Sequence, residues 1–153
     1  MAATILGTSA ADTFTGDSGA DVITGRGGAD TLTVGSRSDT SIFTPGDTGI
    51  TEATADKITD FSTGTDKIDV GAPGTYFEAD GTTIADLAAF ITSADASLTT
   101  ASDGIYAEYN FADNGNTLEV VDENASGTED TGGTLIILSG LSTAGGLDAS
   151  DFI

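Results

Sequence analysis

The sequence contains no cysteine, no histidine and no tryptophan. Without cysteine there are no disulfide bonds and no thiolate chemistry, and without either cysteine or histidine a bound metal has to be held by oxygen. The absence of histidine also removes the commonest general base and every histidine-dependent catalytic triad. These absences argue against an enzyme.

Basic residues are almost as scarce. Four lysines and arginines stand against 25 aspartates and glutamates, so the 153-residue chain has a formal net charge of −21. Such a charge makes nucleic acid an unexpected partner. It also opposes compaction unless a hard divalent cation neutralises it, and calcium is the first candidate. A solvated or disordered acidic surface is the alternative.

Long apolar runs are missing as well. No stretch of eighteen apolar residues is present, so no membrane span is expected. The start of the chain has neither the basic region nor the apolar region of a classical signal peptide. If the chain is exported, we expect another route to carry it.

Three nine-residue units run from Gly7 to Thr33 without a change of register. Each unit opens with glycine, carries aspartate in the sixth place and has an apolar residue in the eighth. The aspartates are Asp12, Asp21 and Asp30, and the apolar residues are Phe14, Ile23 and Leu32. A fourth unit, residues 34–42, keeps Asp39 in phase but has Ser41 in the eighth place.

This spacing predicts a six-residue turn followed by a three-residue strand with one inward side chain. Two units then form one coil, so turns on the same edge recur every eighteen residues. Asp12 would stack on Asp30, and Asp21 on Asp39. Each pair could hold one calcium ion together with turn carbonyls, and we include Gly16 and Gly25, which open the two best-formed turns, among the metal-binding candidates. The alternative is that Gly/Asp turns simply separate short strands.

The units resemble the RTX family repeat G-G-x-G-x-D-x-U-x. This resemblance implies a right-handed parallel β-roll that folds around several calcium ions. Several positions depart from the pattern, because other residues replace its glycines: Thr8, Ala10, Asp17, Arg26, Val34 and Arg37.

Residues 56–70 repeat the tripeptide Asp-Lys-Ile at a ten-residue spacing around Asp60-Phe61. The segment resembles the one that follows the repeats in RTX proteins. By that resemblance Asp60 and Asp66 are candidate ligands for a last calcium ion. A hairpin with solvated acidic side chains is the alternative.

The remainder predicts one short amphipathic helix at residues 83–91 and an antiparallel meander with strands near residues 105–111, 117–122 and 134–138. With the final Asp151-Phe152-Ile153, it resembles the RTX flank that caps the roll and carries the signal for type I secretion. The last three residues also suit a final core strand, and the two interpretations are compatible.

The predicted fold class is therefore all-β: a parallel β-roll followed by a mostly antiparallel β cap with one short helix. The roll would occupy residues 1–42, an irregular excursion and the post-repeat segment residues 43–70, and the flank residues 71–153, all in one continuous body.

Two functions remain open. The first is a secreted structural protein that folds on extracellular calcium and assembles with itself, head to tail, into a surface layer, matrix or filament, either released or held at the cell surface. It rests on residues 3–6, which enter the repeat register almost at once and leave a strand edge without a cap. The second is the secretion and folding module of a larger RTX toxin or hydrolase, exported by the type I machinery. A glycosidase-like use of Asp60 and Asp66, and an adhesive or ice-binding threonine face, are less favoured.

Overall fold

A computed structural model of the chain describes residues 1–71, 75–78, 89–90, 92, 104–110, 116–122, 134–139, 141 and 147–153. Within these ranges the protein is built mainly from β-strands, with one short 3-10 helix, Ala149–Asp151, and helical residues at positions 89, 90 and 92. The strands are β1 (Thr4–Leu6), β2 (Thr13–Thr15), β3 (Val22–Thr24), β4 (Thr31–Thr33), β5 (Thr40–Ile42), β6 (Asp56–Ile58), β7 (Lys67–Asp69), β8 (Thr75–Glu78), β9 (Gly104–Asn110), β10 (Asn116–Asp122) and β11 (Thr134–Leu138).

The nonapeptide units form a parallel roll. Odd-numbered strands make one sheet in the order β1-β3-β5-β7, and the other sheet has the order β2-β4-β6-β11-β10-β9-β8. Thr4 pairs with Val22 and Thr13 pairs with Thr31, an offset of eighteen residues in each sheet. The prediction that two units make one coil is confirmed.

The roll continues beyond the fourth unit. β6 pairs in parallel with β4, and β7 pairs in parallel with β5. The offset grows here, because residues 43–55 form a longer connection between β5 and β6. The two Asp-Lys-Ile tripeptides therefore lie at roll strands, where a hairpin had been the alternative.

The core lies between the two sheets. The eighth-place side chains Ile23 and Leu32 are fully buried, and Ile58 and Ile68 occupy the same positions in the next coil. Full burial of such a side chain contributes about 1.5–3 kcal/mol. At the N-terminal end of the roll Ile5 and Phe14 are only partly buried against this core.

The C-terminal strands extend the second sheet. β9, β10 and β11 pair antiparallel in sequence, while β11 pairs in parallel with β6. Of the predicted helix, only Ala89 and Phe90 lie within the described residues; both are helical, and Phe90 is buried. No helix of the described residues is long and apolar enough to cross a bilayer.

The last residues of the chain close the first sheet. Phe152 is buried and bridges Ile68 in parallel. The backbone N–H of Ile153 donates to the Ile68 carbonyl at 3.0 Å, and the N–H of Val70 donates to the Ile153 carbonyl at 3.2 Å. Phe152 thus packs beside β7 as a core-strand residue would, whereas Asp151 ends the 3-10 helix and the Ile153 side chain is exposed.

Candidate calcium site

The turns of the roll lie on two edges. We call edge one the side formed by turns 7–12, 25–30 and 43–55, and edge two the side formed by turns 16–21, 34–39 and 60–66. Each turn leads to an aspartate placed just before or at the start of the next strand. On edge one these are Asp12, Asp30 and Asp56; on edge two they are Asp21, Asp39 and Asp66.

These six residues form two aspartate ladders. In each ladder a backbone N–H donates to the carboxylate Oδ1 of the aspartate in the next coil, which satisfies a donor that would otherwise lack a partner. On edge one, Asp12 donates to Asp30 at 2.8 Å and Asp30 donates to Asp56 at 2.8 Å. On edge two, Asp21 donates to Asp39 at 2.7 Å and Asp39 donates to Asp66 at 3.0 Å. The predicted stacking of Asp12 on Asp30 and of Asp21 on Asp39 is therefore seen.

The ladder aspartates differ in whether their second carboxylate oxygen, Oδ2, has a hydrogen-bond partner. The Oδ2 atoms of Asp30, Asp39 and Asp56 are buried and have no hydrogen-bond partner. A buried carboxylate oxygen without a partner is costly, and it is the ligand type that a hard cation such as calcium prefers. The residues on these turns therefore fit calcium.

Burial raises the pKa of four ladder aspartates. For Asp56 burial is the largest cause, and the charges of Asp30 and Asp47 add to it, so that the pKa rises to about 7 although the Asp30 N–H opposes the shift. Burial likewise raises the pKa of Asp30, Asp39 and Asp66. A divalent cation would offset this clustered negative charge.

Two predicted glycines make room for these oxygens. A Cβ at Gly25 would overlap Oδ2 of Asp30. A Cβ at Gly16 would overlap the Val34 carbonyl and would lie 2.9 Å from Oδ2 of Asp21. Gly16 and Gly25 thus allow carboxylate and carbonyl oxygens to approach the turn backbone closely. Their role in calcium binding stays a prediction.

Two turns contain left-handed residues in their second and fourth places. In turn 25–30 these are Arg26 and Gly28, with φ of 69° and 123°. In turn 34–39 they are Gly35 and Arg37, with φ of 104° and 93°. The two arginines keep the left-handed backbone at places where the RTX pattern has glycine, at a cost of about 1–2 kcal/mol each.

Asp60, a predicted ligand, lies outside the ladders. Its Oδ1 accepts from the N–H of Val34 at 2.7 Å, and its Oδ2 accepts from the N–H of Gly35 at 3.0 Å. Both oxygens therefore bind the backbone of turn 34–39. A role for Asp60 in calcium binding stays a prediction, whereas Asp66 takes a ladder position.

Sequence reasoning missed Asp56. The signal was present, because Asp56 opens the first Asp-Lys-Ile tripeptide and Asp66 opens the second. It also missed Thr48, whose buried hydroxyl accepts from the Asp56 N–H at 2.8 Å and donates to the Leu135 carbonyl at 2.8 Å. Thr48 ends the edge-one ladder, and no sequence pattern marks it.

Across the described ranges, no three acidic side chains are grouped so that they could hold a metal by themselves. Calcium requires six to eight oxygens, so carbonyls of the turns would have to supplement the carboxylates. Parallel coils whose turns bury such carboxylates define the class of calcium-binding β-rolls.

Comparison with known families agrees with this class. Residues 5–40 match the RTX calcium-binding nonapeptide repeat in four copies. The chain thus carries an RTX repeat region, and such regions bind several calcium ions. No curated protein matches the chain.

Proposed function

We propose that this chain is a secreted structural protein that folds on extracellular calcium and then assembles with itself into a surface layer, matrix or filament. RTX repeat proteins bind calcium and are typically secreted. Extracellular calcium modules have Kd values on the order of 10⁻⁴–10⁻³ M, so the roll would remain loose in calcium-poor cytosol and close outside the cell. Export as an unfolded chain through the type I machinery suits this behaviour.

The observation that carries the assembly proposal is the open N-terminal end of the roll. Within the described residues, β1 pairs only with β3, and β2 pairs only with β4. Leu6 has 57% of its surface exposed, and Ile5 and Phe14 are only partly covered. Unpaired strand edges beside apolar side chains favour the addition of another strand.

The backbone donors available at this edge can be named. The N–H of Val22 donates to the Ala3 carbonyl at 2.9 Å, and the N–H of Gly7 donates to the Thr24 carbonyl at 2.8 Å. Because backbone groups alternate in direction along a strand, the N–H of Thr4 points away from β3. By the same alternation the N–H of Thr13 points away from β4, since Thr31 and Gly16 make the flanking bonds.

The opposite ends of the sheets favour a head-to-tail contact. In the first sheet Phe152 covers β7. In the other sheet, as far as its residues are described, β8 is the edge strand opposite to β2. Pairing of β2 in one copy with β8 in the next would be heterologous and need not close into a ring. Calcium would also screen repulsion between subunits of charge −21.

The secretion and folding module of a larger RTX toxin or hydrolase is the second candidate. A preceding stretch of roll in a longer protein would cover β1 and β2 equally well. In either case we propose that residues 71–153 act as the cap and carry the type I secretion signal, and that calcium rather than nucleic acid is the ligand.

Sedimentation velocity and electron microscopy with and without millimolar calcium test the proposal. We expect calcium-dependent polymers for the parent chain. Thr4→Pro and Thr13→Pro each remove one outward donor and should reduce assembly, and comparing them identifies which edge is used. Circular dichroism confirms that each variant still folds on calcium. A parent chain that stays monomeric in calcium would overturn self-assembly and favour the module.

A further inference from the structure

We infer that the residue four places before each ladder aspartate other than Asp56 decides how that aspartate is used. The aspartate either binds calcium or accepts a hydrogen bond from this residue and closes its turn without calcium. The inference rests on the calcium-dependent folding proposed above and adds a selection among the turns. It concerns the Oδ2 atoms, because Oδ1 of each ladder aspartate beyond the first coil is bound to a neighbouring coil.

Three turns already supply a donor to Oδ2. The backbone N–H and the hydroxyl of Thr8 both donate to Asp12 at 2.8 Å. The N–H of Asp17 donates to Asp21 at 2.8 Å, and the N–H of Ser62 donates to Asp66 at 2.8 Å. In each case the donor lies four residues before the aspartate. We call these the self-closed turns.

Two turns place a left-handed residue at the same position. Arg26 precedes Asp30, and Gly35 precedes Asp39, each by four residues and each with positive φ. The N–H of Gly35 donates instead to Asp60. The Oδ2 atoms of Asp30 and Asp39 are left buried without a partner. We call turns 25–30 and 34–39 the open turns.

The physical difference between the two kinds of turn is the cost of bringing an ion to Oδ2. In a self-closed turn the ion has to compete with a hydrogen bond to a charged group, which is stronger than a hydrogen bond between neutral groups. In an open turn the ion instead binds a buried oxygen that has no other partner, and so removes the free-energy cost of that unsatisfied oxygen. Calcium is therefore drawn to Asp30 and Asp39 and is not needed at Asp12 or Asp21.

Asp56 resembles the aspartates of the open turns, although its own turn is built differently. Its turn is the long connection 43–55, and its Oδ2 is buried without a partner although its own N–H is bound to Thr48. This adds a calcium-binding carboxylate beyond residues 5–40, the range matched by the repeat family.

Calcium stoichiometry, measured by native mass spectrometry and isothermal titration, tests the selection. Asp30→Asn keeps an oxygen for the Asp12 N–H but replaces Oδ2 with a group that cannot bind a cation, so we expect one ion fewer than in the parent. Asp12→Asn is the matched control: its amide oxygen can still accept from Thr8, and we expect no change in ion number.

A gain of binding provides the second arm. Thr8→Gly combined with Ala10→Gly removes the Thr8 hydroxyl and frees both places of turn 7–12 to adopt the backbone of turn 25–30. We expect one additional ion. This arm decides the question even if Asp30→Asn does not fold, because the double variant only relaxes a turn at the end of the roll.

Three results are distinguishable. Loss of one ion in Asp12→Asn, or no additional ion in a folded Thr8→Gly/Ala10→Gly variant, overturns the selection among turns. A parent chain that binds no calcium overturns calcium-dependent folding itself. An ion fewer in Asp30→Asn, none lost in Asp12→Asn and one gained in the double variant supports the inference.

Discussion

The backbone N–H of Asp21 lies 2.7 Å from Oδ1 of Asp39, eighteen residues further along the chain. This hydrogen bond joins two coils through a side chain whose other oxygen is free for a cation. One carboxylate thus stacks two coils and, by the inference above, would also bind calcium. Removing the Asp39 carboxylate would leave the buried Asp21 N–H without a hydrogen-bond partner and would also remove a proposed calcium ligand.

We expect calcium to switch the fold. Circular dichroism should change from largely disordered in EGTA to β-rich in millimolar calcium, because the unpartnered carboxylates destabilise the roll until an ion binds. Each site at 100 times its Kd adds about 2.7 kcal/mol. Magnesium at the same concentration is the control and should substitute poorly, since it prefers a tight octahedral shell. An unchanged spectrum across the calcium titration would contradict the prediction.

Acid should partly replace calcium. The pKa of Asp56 is raised to about 7 in the folded chain, and the pKa of Asp30, Asp39 and Asp66 is also raised. A carboxyl whose pKa is higher in the folded chain than in the unfolded chain stabilises the fold when it is protonated. This stabilisation is complete below the pKa of the unfolded chain, about 3.9, and is lost as the pH rises through the pKa of the folded chain. In EGTA we therefore expect more β-structure at pH 5 than at pH 8.

The Asp56→Asn variant is the control for this pH effect. It removes the carboxyl whose pKa burial raises to about 7, and it should flatten the pH dependence of β-structure between pH 5 and 8. With calcium present the direction reverses, because protons compete with the ion for the same carboxylates. Equal β-structure at both pH values in EGTA would show that burial of these carboxylates does not limit folding.

Gly25→Ala should weaken calcium-dependent folding far more than Gly27→Ala in the same turn. The added methyl group at Gly25 would overlap Oδ2 of Asp30, whereas at Gly27 it would meet Ser9 no closer than 3.8 Å. We expect overpacking at Gly25 to cost about 1–3 kcal/mol and to raise the calcium midpoint. Calcium titrations followed by circular dichroism measure both variants, and equal midpoints would show that Gly25 makes no special room.

Thr48→Val should destabilise the calcium-bound fold. The substitution keeps the shape but removes the hydroxyl that joins the Asp56 N–H to the Leu135 carbonyl, leaving a buried donor and acceptor without partners. The expected loss is about 1–3 kcal/mol in urea unfolding at saturating calcium. Thr48→Ser retains the hydroxyl and is the control; if both variants lose the same stability, the ladder does not depend on this hydrogen bond.

The register of the first two coils could be predicted from sequence, because no residue is inserted between Gly7 and Ile42 and the nine-residue phase fixes which side chains meet. Asp12 and Asp30 stack for this reason. The calcium-binding class followed from the same spacing, together with the absence of histidine and cysteine. Burial of Ile23 and Leu32 agrees with their eighth-place positions.

The next coil could not be predicted in the same way. The connection 43–55 breaks the phase, and the register returns only through pairing of β6 with β4. Long-range pairing therefore gives Asp56 the ladder position and places Asp60 on turn 34–39. The left-handed backbone at Arg26 is likewise imposed by the fold around it, since arginine has no local preference for that conformation.

The aspartate ladders have a consequence for how the roll opens and closes. Every rung connects one coil only to its neighbour, so the molecule behaves as a one-dimensional cooperative chain in which a broken rung separates two segments. Within the described part of the chain β1 and β2 pair on one side only, so we expect fraying of this chain to begin there and to spread inward. By the inference above, an ion bound at Asp39 would favour closure of the coils on either side of it, and we expect the Hill slope of calcium-induced folding to exceed one without any direct contact between ions.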